Sequence, residues 1–246
     1  MELISLKYAI FVIVLLVLYY CFPKKYRWYV LLAGSMAYYV IICKWYVLFI
    51  IFTICTTYGS TIWIDKLLKK QNAIVKSHKE DWDRQTRKEY KEKGRKKRVA
   101  VMLFALLCNF GILAFLKYIP YAGELGLLLP LGISFYTFQS MGYVMDVYRE
   151  IVEPEKNFLK VALFVSFFPQ IIQGPIAIYD KLAGQLYEGH SLRLENLQKG
   201  ALLVLWGVMK KLVIADRAVN IINFVMDKPM DFSGTYVFFA DRKSVV

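Results

Sequence analysis

Five polar side chains follow one another at helical spacing within an otherwise apolar segment. The intervals are three, four, three and three residues, and the residues are Tyr136, Gln139, Tyr143, Asp146 and Arg149. In an α-helix this spacing puts all five on one face. A polar stripe inside a membrane is costly unless it faces a helix bundle or a wet cavity. Two interpretations follow: the stripe lines a cavity, or it only hydrogen-bonds neighbouring helices.

A second polar feature lies in residues 161–179, an uncharged run that is interrupted by Pro169 and Pro175. Proline inside a spanning helix frees a carbonyl and kinks the chain. Broken backbone is tolerated at membrane depth where it is buried in protein or lines a cavity. Gln170 and Gln173 flank the break, which favours a cavity beside the striped helix. The residues expected to line that cavity or to order its helices are Ser134, Gln139, Asp146, Gln170 and Gln173.

Composition indicates the kind of protein that positions these side chains. Of the 246 residues, 58% are hydrophobic, and the mean hydropathy is +0.42, whereas a soluble domain has about 45–50% apolar residues. The excess lies in long uncharged runs. We therefore expect an all-α integral membrane protein, a multi-span helical bundle with re-entrant or broken helices. The net charge of +13 then mainly sets membrane orientation, and the pattern of a nucleic-acid-binding domain is not seen.

The apolar runs define a single membrane domain over residues 1–240, with residues 241–246 as an aberrant charged tail. Crossing a bilayer takes about 20 apolar residues. The N-terminus lacks the basic region and cleavage site of a secretory signal, so its first run is predicted to be a retained span. Spans are expected near residues 4–22, 28–43, 45–64, 99–117, 133–148, 158–179 and 201–226.

Residues 65–98 form a strongly basic loop, with fourteen Lys or Arg against six Asp or Glu and a local net charge of +8. A second basic cluster, Lys24, Lys25 and Arg27, lies on the same side if spans two and three form a hairpin. The positive-inside rule then predicts that both are cytoplasmic and that the N-terminus is outside. The simpler interpretation of the loop is a solvated, partly helical topology signal. The more specific interpretation is a binding site for anionic lipid, for the phosphates of a cofactor or for an acidic carrier protein.

Polar and sulfur-bearing residues within the runs have structural interpretations. Asn109, inside the fourth span, is expected to hydrogen-bond a neighbouring helix. The cysteines are interpreted as buried, inert thiols, because their spacing indicates neither a disulfide framework nor a metal site. They are Cys21, Cys43, Cys55 and Cys108.

Two long motifs resemble a known family. The chain resembles the membrane-bound O-acyltransferases, in the bacterial branch of the alginate O-acetyltransferases and, more distantly, the D-alanyl transfer proteins of teichoic acid. The resemblance covers nearly all of the chain to about residue 240. The two main motifs are Leu129-Pro-Leu-Gly-Ile-Ser-Phe-Tyr-Thr-Phe-Gln139 and Phe167-Phe-Pro-Gln-Ile-Ile-Gln-Gly-Pro175. Shorter agreements are Asn109-Phe-Gly-Ile-Leu113, Asp146-Val-Tyr-Arg149 and Trp206-Gly-x-x-Lys-Lys-Leu-Val-Ile-Ala-Asp-Arg217.

The resemblance implies a ring of spanning and re-entrant helices around a tunnel in the bacterial plasma membrane. No bound cofactor is implied; the co-substrate is a cytoplasmic acyl thioester, either acetyl-coenzyme A or an acyl carrier. The acyl group passes to a hydroxyl of an envelope polysaccharide or glycan, with an extracytoplasmic partner protein. A tunnel histidine takes the hydroxyl proton. Lys210, Lys211 and Arg217 then either meet donor phosphates from the cytoplasm or only anchor a helix at the interface.

The histidines depart from the family pattern. The chain has only His78 and His190, and both lie in predicted connections where a catalytic base would not reach the tunnel. No catalytic residue is therefore assigned, and the family histidine is expected beyond residue 246. The chain is interpreted as the N-terminal half of the fold, truncated or frameshifted near Asp241 and inactive alone. The competing classes are a transporter or flippase-like protein and a non-catalytic scaffold subunit.

Overall fold

The computed structural model describes residues 6–78, 82–118, 130, 132–173 and 177–227. Within these ranges every regular element is helical, which confirms the all-α prediction. Short 3₁₀ turns at Lys24–Tyr26 and Lys44–Tyr46 connect the first three helices. The helices are α1 Leu6–Cys21, α2 Arg27–Cys43, α3 Val47–Ser77, α4 Arg84–Tyr118, α5 Ile133–Tyr148, α6 Phe158–Ser166, α7 Phe168–Gln173, α8 Tyr179–Tyr187, α9 Leu194–Met209 and α10 Asp216–Asp227.

The chain divides into two units, residues 1–190 and residues 191–246. In the first unit α3 is central and packs against α4 and α5, while α2 packs against α1 and α6. Two helical stretches, Lys24–Ser77 and Arg84–Tyr118, are long and apolar enough to cross a membrane. The predicted membrane character is compatible with this arrangement, and the number of spans stays a prediction.

The turn between α2 and α3 occurs where the sequence places its single intervening lysine. Lys44 has φ +47°, a value that L-residues seldom adopt and that stops a right-handed helix. The apolar run therefore breaks into two helices at the predicted position.

Asn109 makes the interhelical hydrogen bond that its position predicted. Its side-chain amide donates to the hydroxyl of Thr56 at 2.9 Å, which links α4 to α3, and also to the Ala105 carbonyl at 2.8 Å. The side chain is buried, so water cannot reach its amide and the interhelical hydrogen bond satisfies it instead. This prediction is confirmed.

The predicted basic loop is largely helical. α3 continues through residues 65–77 and α4 begins at Arg84, so most of the charge is carried by two neighbouring helix ends. This agrees with the expectation of a partly helical segment. Its position relative to the membrane stays a prediction.

The described part of the second unit is helical from Leu194 to Asp227, and residues Lys210–Ala215 are π-helical between α9 and α10. The ammonium group of Lys210 lies 5.2 Å from the ring centre of Trp206, a cation–π contact. Leu202, Leu203 and Trp206 are exposed on α9. Both observations suit the predicted interfacial helix.

The prediction that all four cysteines are buried is wrong. Cys43 is buried and Cys108 is half-buried, but Cys21 and Cys55 are exposed. Both exposed thiols lie on apolar helices whose outward faces carry large hydrophobic side chains such as Val17 and Phe52. An apolar helix run therefore does not fix which of its faces packs against protein.

Several sequence predictions fall on residues that the structure leaves undescribed. These are the last part of the predicted membrane domain, residues 228–240, and the tail 241–246. They stay predictions.

Candidate functional site

The five-residue stripe lies on α5 and passes from the protein interior to its surface. Tyr136, Gln139 and Tyr143 are buried, Asp146 is half-buried and Arg149 is exposed just past the helix end. The stripe thus faces other helices over its first two turns, as a polar stripe in a membrane requires. Only its last turn approaches solvent.

The opposite side of α5 is also covered. Ile133, Met141 and Val144 are buried, whereas Phe138 is 47% exposed. α5 contacts α3, α4, α6 and α7. The helix is therefore an internal element of this unit, with a narrow exposed edge at Phe138.

Gln139 is bound to the helix break that the second motif creates. Its amide nitrogen donates to the Phe164 carbonyl at 2.9 Å. In an uninterrupted helix that carbonyl would accept from the Phe168 amide four residues on. The helix instead stops at Ser166, and the Phe168 amide donates to the hydroxyl of Ser35 at 3.4 Å. Gln139 and Ser35 thus satisfy the two backbone groups that the break exposes.

The same junction holds the two long motifs together through a glycine. Gly132 precedes α5 with φ +69°, and a Cβ at this position would overlap both the carbonyl and the side chain of Ile171 in α7. A glycine is required for the left-handed backbone and for the close approach. The Pro130–Gln139 motif and the Phe167–Pro175 motif therefore meet in space.

The remaining candidates lie close to this junction in the chain. Ser134 is half-buried in the first turn of α5. Gln170 is half-buried in α7, and its side-chain oxygen is buried with no hydrogen-bond partner among the described residues. Gln173 ends α7, and its side chain lies outside the described part of the chain. Whether these residues line a cavity stays a prediction.

An aromatic cluster supports the inner end of the stripe. The ring of Tyr143 stacks on Tyr179 with centres 4.1 Å apart, and Phe164 meets both rings edge-on. The Tyr143 hydroxyl accepts from the Glu155 backbone amide at 2.8 Å.

Outside the predicted spans, burial raises the pKa of the Tyr187 phenol, so this group stays neutral and donates to the Lys160 carbonyl at 2.8 Å.

Both histidines lie in connections that follow helices, and His190 lines a cavity together with Phe168 and Pro169 of α7. His78 follows α3, with its Nδ1 atom 3.0 Å from the Ser77 hydroxyl and its ring stacked on Trp82. His190 is exposed, and its Nε2 atom lies 3.0 Å from the Gln185 carbonyl. That neither is the tunnel base stays a prediction.

Two cavities are prominent in the first unit. One has a volume of about 420 Å³ and a mainly apolar lining that includes Leu15, Phe168, Pro169 and His190. The other, of about 600 Å³, lies between α3 and α4 and is lined mainly by basic side chains, among them Arg84, Lys91 and Arg95. Sequence reasoning identified the charge of this region but not the cavity.

Three functional or structural features were missed by sequence reasoning. Gly132 carried a signal, since a glycine two residues after a proline and directly before a helix suits a left-handed N-cap. No sequence signal indicated the ion pair of Arg98 with Glu150, at 2.7 Å, because the two residues are far apart in the chain. None indicated that Gln71 lines the basic cavity, because a glutamine in a polar segment is of ordinary type.

Lys210, Lys211 and Arg217 lie in the second unit. Lys210 and Lys211 open the π-helical segment, and Arg217 is in the first turn of α10. Lys210 and Arg217 are exposed, and Lys211 is half-buried. Lys210 lies over Trp206, as an anchoring lysine would. A role toward donor phosphates stays a prediction.

Comparison with known proteins indicates the class of protein that this chain resembles. No family model matches the chain, and no solved structure does. Among curated proteins, the chain is 31% identical over 170 residues to a peptidoglycan O-acetyltransferase of Helicobacter pylori, covering 54% of this chain and 32% of that protein. The class that emerges is a helical protein related to O-acetyltransferases.

The alginate branch is matched as well. A probable alginate O-acetylase of Pseudomonas syringae pv. tomato is 40% identical over 89 residues, covering 36% of this chain and 17% of that protein. One of Azotobacter vinelandii is 33% identical over 129 residues, covering 52% and 24%. The matched segments of the chain are thus similar to O-acetyltransferases of peptidoglycan and alginate, which confirms the resemblance that the motifs indicated. The matched region spans about a third or less of these relatives' lengths.

Proposed function

We propose that the chain is part of a membrane-bound O-acyltransferase that moves an acyl group, acetyl in the first instance, to hydroxyls of a cell-envelope polysaccharide or glycan. The observation that carries the proposal is the junction at Gln139, Phe164, Gly132 and Ile171, where the two family motifs meet. The relatives named for O-acetylation of peptidoglycan and alginate support the same class of reaction.

The reaction is a simple acyl transfer. The acceptor hydroxyl oxygen attacks the acyl carbon of the thioester, the thiol of the donor leaves, and a general base takes the hydroxyl proton. The donor is a co-substrate, acetyl-coenzyme A or an acyl carrier, and no bound cofactor takes part. Ser134, Gln139, Asp146, Gln170 and Gln173 line the acceptor path or order its helices.

The base is expected outside the residues described. His78 contacts the Ser77 hydroxyl and His190 contacts the Gln185 carbonyl, and we infer that neither is the base. We therefore expect this 246-residue chain, expressed alone, to give no detectable transfer.

Contacts between distant connections support the proposed topology. The guanidinium of Arg27 donates to the His190 carbonyl, which joins the turn after α1 to the connection after α8. Arg98 pairs with Glu150, which joins the start of the apolar part of α4 to the end of α5. In each contact one partner, Arg27 or Arg98, belongs to a basic segment that is proposed to be cytoplasmic, with the N-terminus outside, in the bacterial inner membrane. The bilayer and an extracytoplasmic protein are then the expected partners.

The test is transfer in cells. The coding sequence is expressed alone and together with any downstream coding sequence, in a bacterium whose envelope polymers lack O-acetyl esters. Ester content is measured by alkaline release of acetate from purified envelope polymers. We expect acetate only with the longer product. If the longer product is folded in the membrane and envelope polymers carry no ester, the proposed function is wrong.

A further inference from the structure

The first four turns of α4 carry a continuous basic face. The residues follow one another by three, one, three, four and three, which in a helix keeps them on one side. They are Arg84, Arg87, Lys88, Lys91, Arg95 and Arg98. All six line the cavity of about 600 Å³ between α3 and α4.

The cavity is completed by polar groups of α3 and by two carboxylates. Gln71 and Asn72 contribute amides from α3, and Glu92 and Glu150 also line it. Six cations against two carboxylates leave a strong positive excess. A volume of this size lies within the range of about 300–1,000 Å³ that is typical of small-molecule sites.

Close packing of the two helices fixes the floor of the cavity. Gly94 lets α4 approach α3, because a Cβ there would overlap the amide of Gln71. The Gln71 amide nitrogen donates to the Lys91 carbonyl at 3.1 Å. The backbone that carries the basic face is therefore part of a packed helix pair.

Two buried polar atoms at this floor remain available. The Arg98 side chain is 10% exposed and uses one terminal nitrogen for Glu150 at 2.7 Å. Its Nε–H, and the side-chain oxygen of Gln71, are buried with no hydrogen-bond partner among the described residues. A buried donor without a partner costs about 1–3 kcal/mol, which an incoming acceptor would recover.

We propose that this cavity binds the phosphate groups of a small anionic ligand. Guanidinium groups match phosphate geometry with paired hydrogen bonds, and lysine adds point charge. Arg98 Nε–H supplies a donor at the floor, and Lys91 and Arg95 supply charge at the exposed edge. The phosphates come either from a soluble molecule that carries a diphosphate or from the headgroup of an anionic lipid. Binding here is independent of whether the chain transfers an acyl group.

A topology signal alone predicts something different. It needs positive charge on the segment, but not on one side of it. Lys93 and Lys96 lie on the same helix, are exposed, and are not among the residues that line this cavity. They provide a matched control with the same charge change in the same turns.

The experiment compares two double variants of the full chain in nanodiscs of phosphatidylcholine. The site variant is Lys91→Gln with Arg95→Gln, and the control is Lys93→Gln with Lys96→Gln. Inorganic pyrophosphate is titrated by calorimetry, and thermal unfolding checks that both variants are folded. We expect the site variant to lose at least about tenfold in pyrophosphate affinity, because two charge-assisted contacts are removed. The control should change less than about twofold.

A second arm distinguishes the two sources of phosphate. Nanodiscs with phosphatidylglycerol are analysed by native mass spectrometry for lipid retained by each variant. If phosphatidylglycerol is retained by the control but not by the site variant, and blocks pyrophosphate, the source is the lipid headgroup. If pyrophosphate binds equally with and without phosphatidylglycerol, the source is soluble. Equal losses in the site and control variants, or binding only of an acidic carrier protein, would overturn the proposal.

Discussion

Gly132 lies against the backbone of Ile171, at a φ of +69° that only glycine adopts without strain. This approach seats the start of α5 on α7. It is the point where two segments that are separated by nearly forty positions in the chain become one structural junction, and it gives the first prediction.

Replacement Gly132→Ala should destabilise the folded protein. The left-handed backbone alone costs an L-residue about 1–2 kcal/mol, and overlap with the Ile171 carbonyl adds to this. The measurement is thermal unfolding of the detergent-solubilised protein. Gly142→Ala is the control, since Gly142 lies inside α5 with room for a methyl group among the described residues, and alanine should be neutral or stabilising by about 0.5–1 kcal/mol. Equal behaviour of the two variants would contradict the junction.

The Asn109–Thr56 hydrogen bond should appear as a coupling energy between α3 and α4. Because the bond is buried, the double-mutant cycle of Asn109→Ala with Thr56→Val should give about 0.6 kcal/mol, and at most about 1.7 kcal/mol. Unfolding free energies in detergent provide the measurement. A cycle of Asn109→Ala with Thr61→Val serves as control, since the Thr61 hydroxyl donates to the Thr57 and Tyr58 carbonyls rather than to Asn109, and its coupling should be near zero. Additive behaviour in both cycles would mean that the bond contributes nothing.

The Arg98–Glu150 pair should stabilise the end of α5. Glu150 has φ +62°, an unfavourable value for this residue type, and its side chain is half exposed while that of Arg98 is 10% exposed. Glu150→Gln should lower stability by about 1 kcal/mol, because solvent screens part of the interaction. Glu153→Gln removes the same charge from an exposed neighbour and should have almost no effect. Thermal unfolding at low and high salt checks both, and a loss that does not shrink with salt would contradict an ionic cause.

Gln139 tests whether the junction matters for transfer as well as for folding. Gln139→Leu keeps the volume but leaves the Phe164 carbonyl without its donor, which should cost about 1–3 kcal/mol. Transfer per folded molecule, measured in a protein that is active in the ester assay, should fall further than stability alone explains. Phe138→Leu, at an exposed neighbouring position, should leave both quantities unchanged. Unchanged transfer with unchanged expression would remove Gln139 from the site.

Much of the architecture was predictable from local pattern. The apolar runs indicated helices, Lys44 marked the turn between α2 and α3, and the proline-containing run indicated a broken helix, which the structure shows at Phe167. Asn109 was predictable because an amide inside an apolar helix has to find a partner. The resemblance to O-acyltransferases was also predictable, because it depends on the types and order of the residues in the motifs and not on their contacts.

Burial and long-range partners were decided only by tertiary structure. The sequence gives the period of a helix but not the number of helices that surround it. It therefore did not predict that α5 is covered on both sides or that Cys21 and Cys55 are exposed. Likewise, the charge of residues 65–98 is visible in the sequence, but the cavity between α3 and α4 and the packing of Gly94 against Gln71 are not. Local periodicity follows from backbone geometry, whereas a partner far along the chain follows from how the helices pack, and that is why only the folded structure places Gly132 on Ile171.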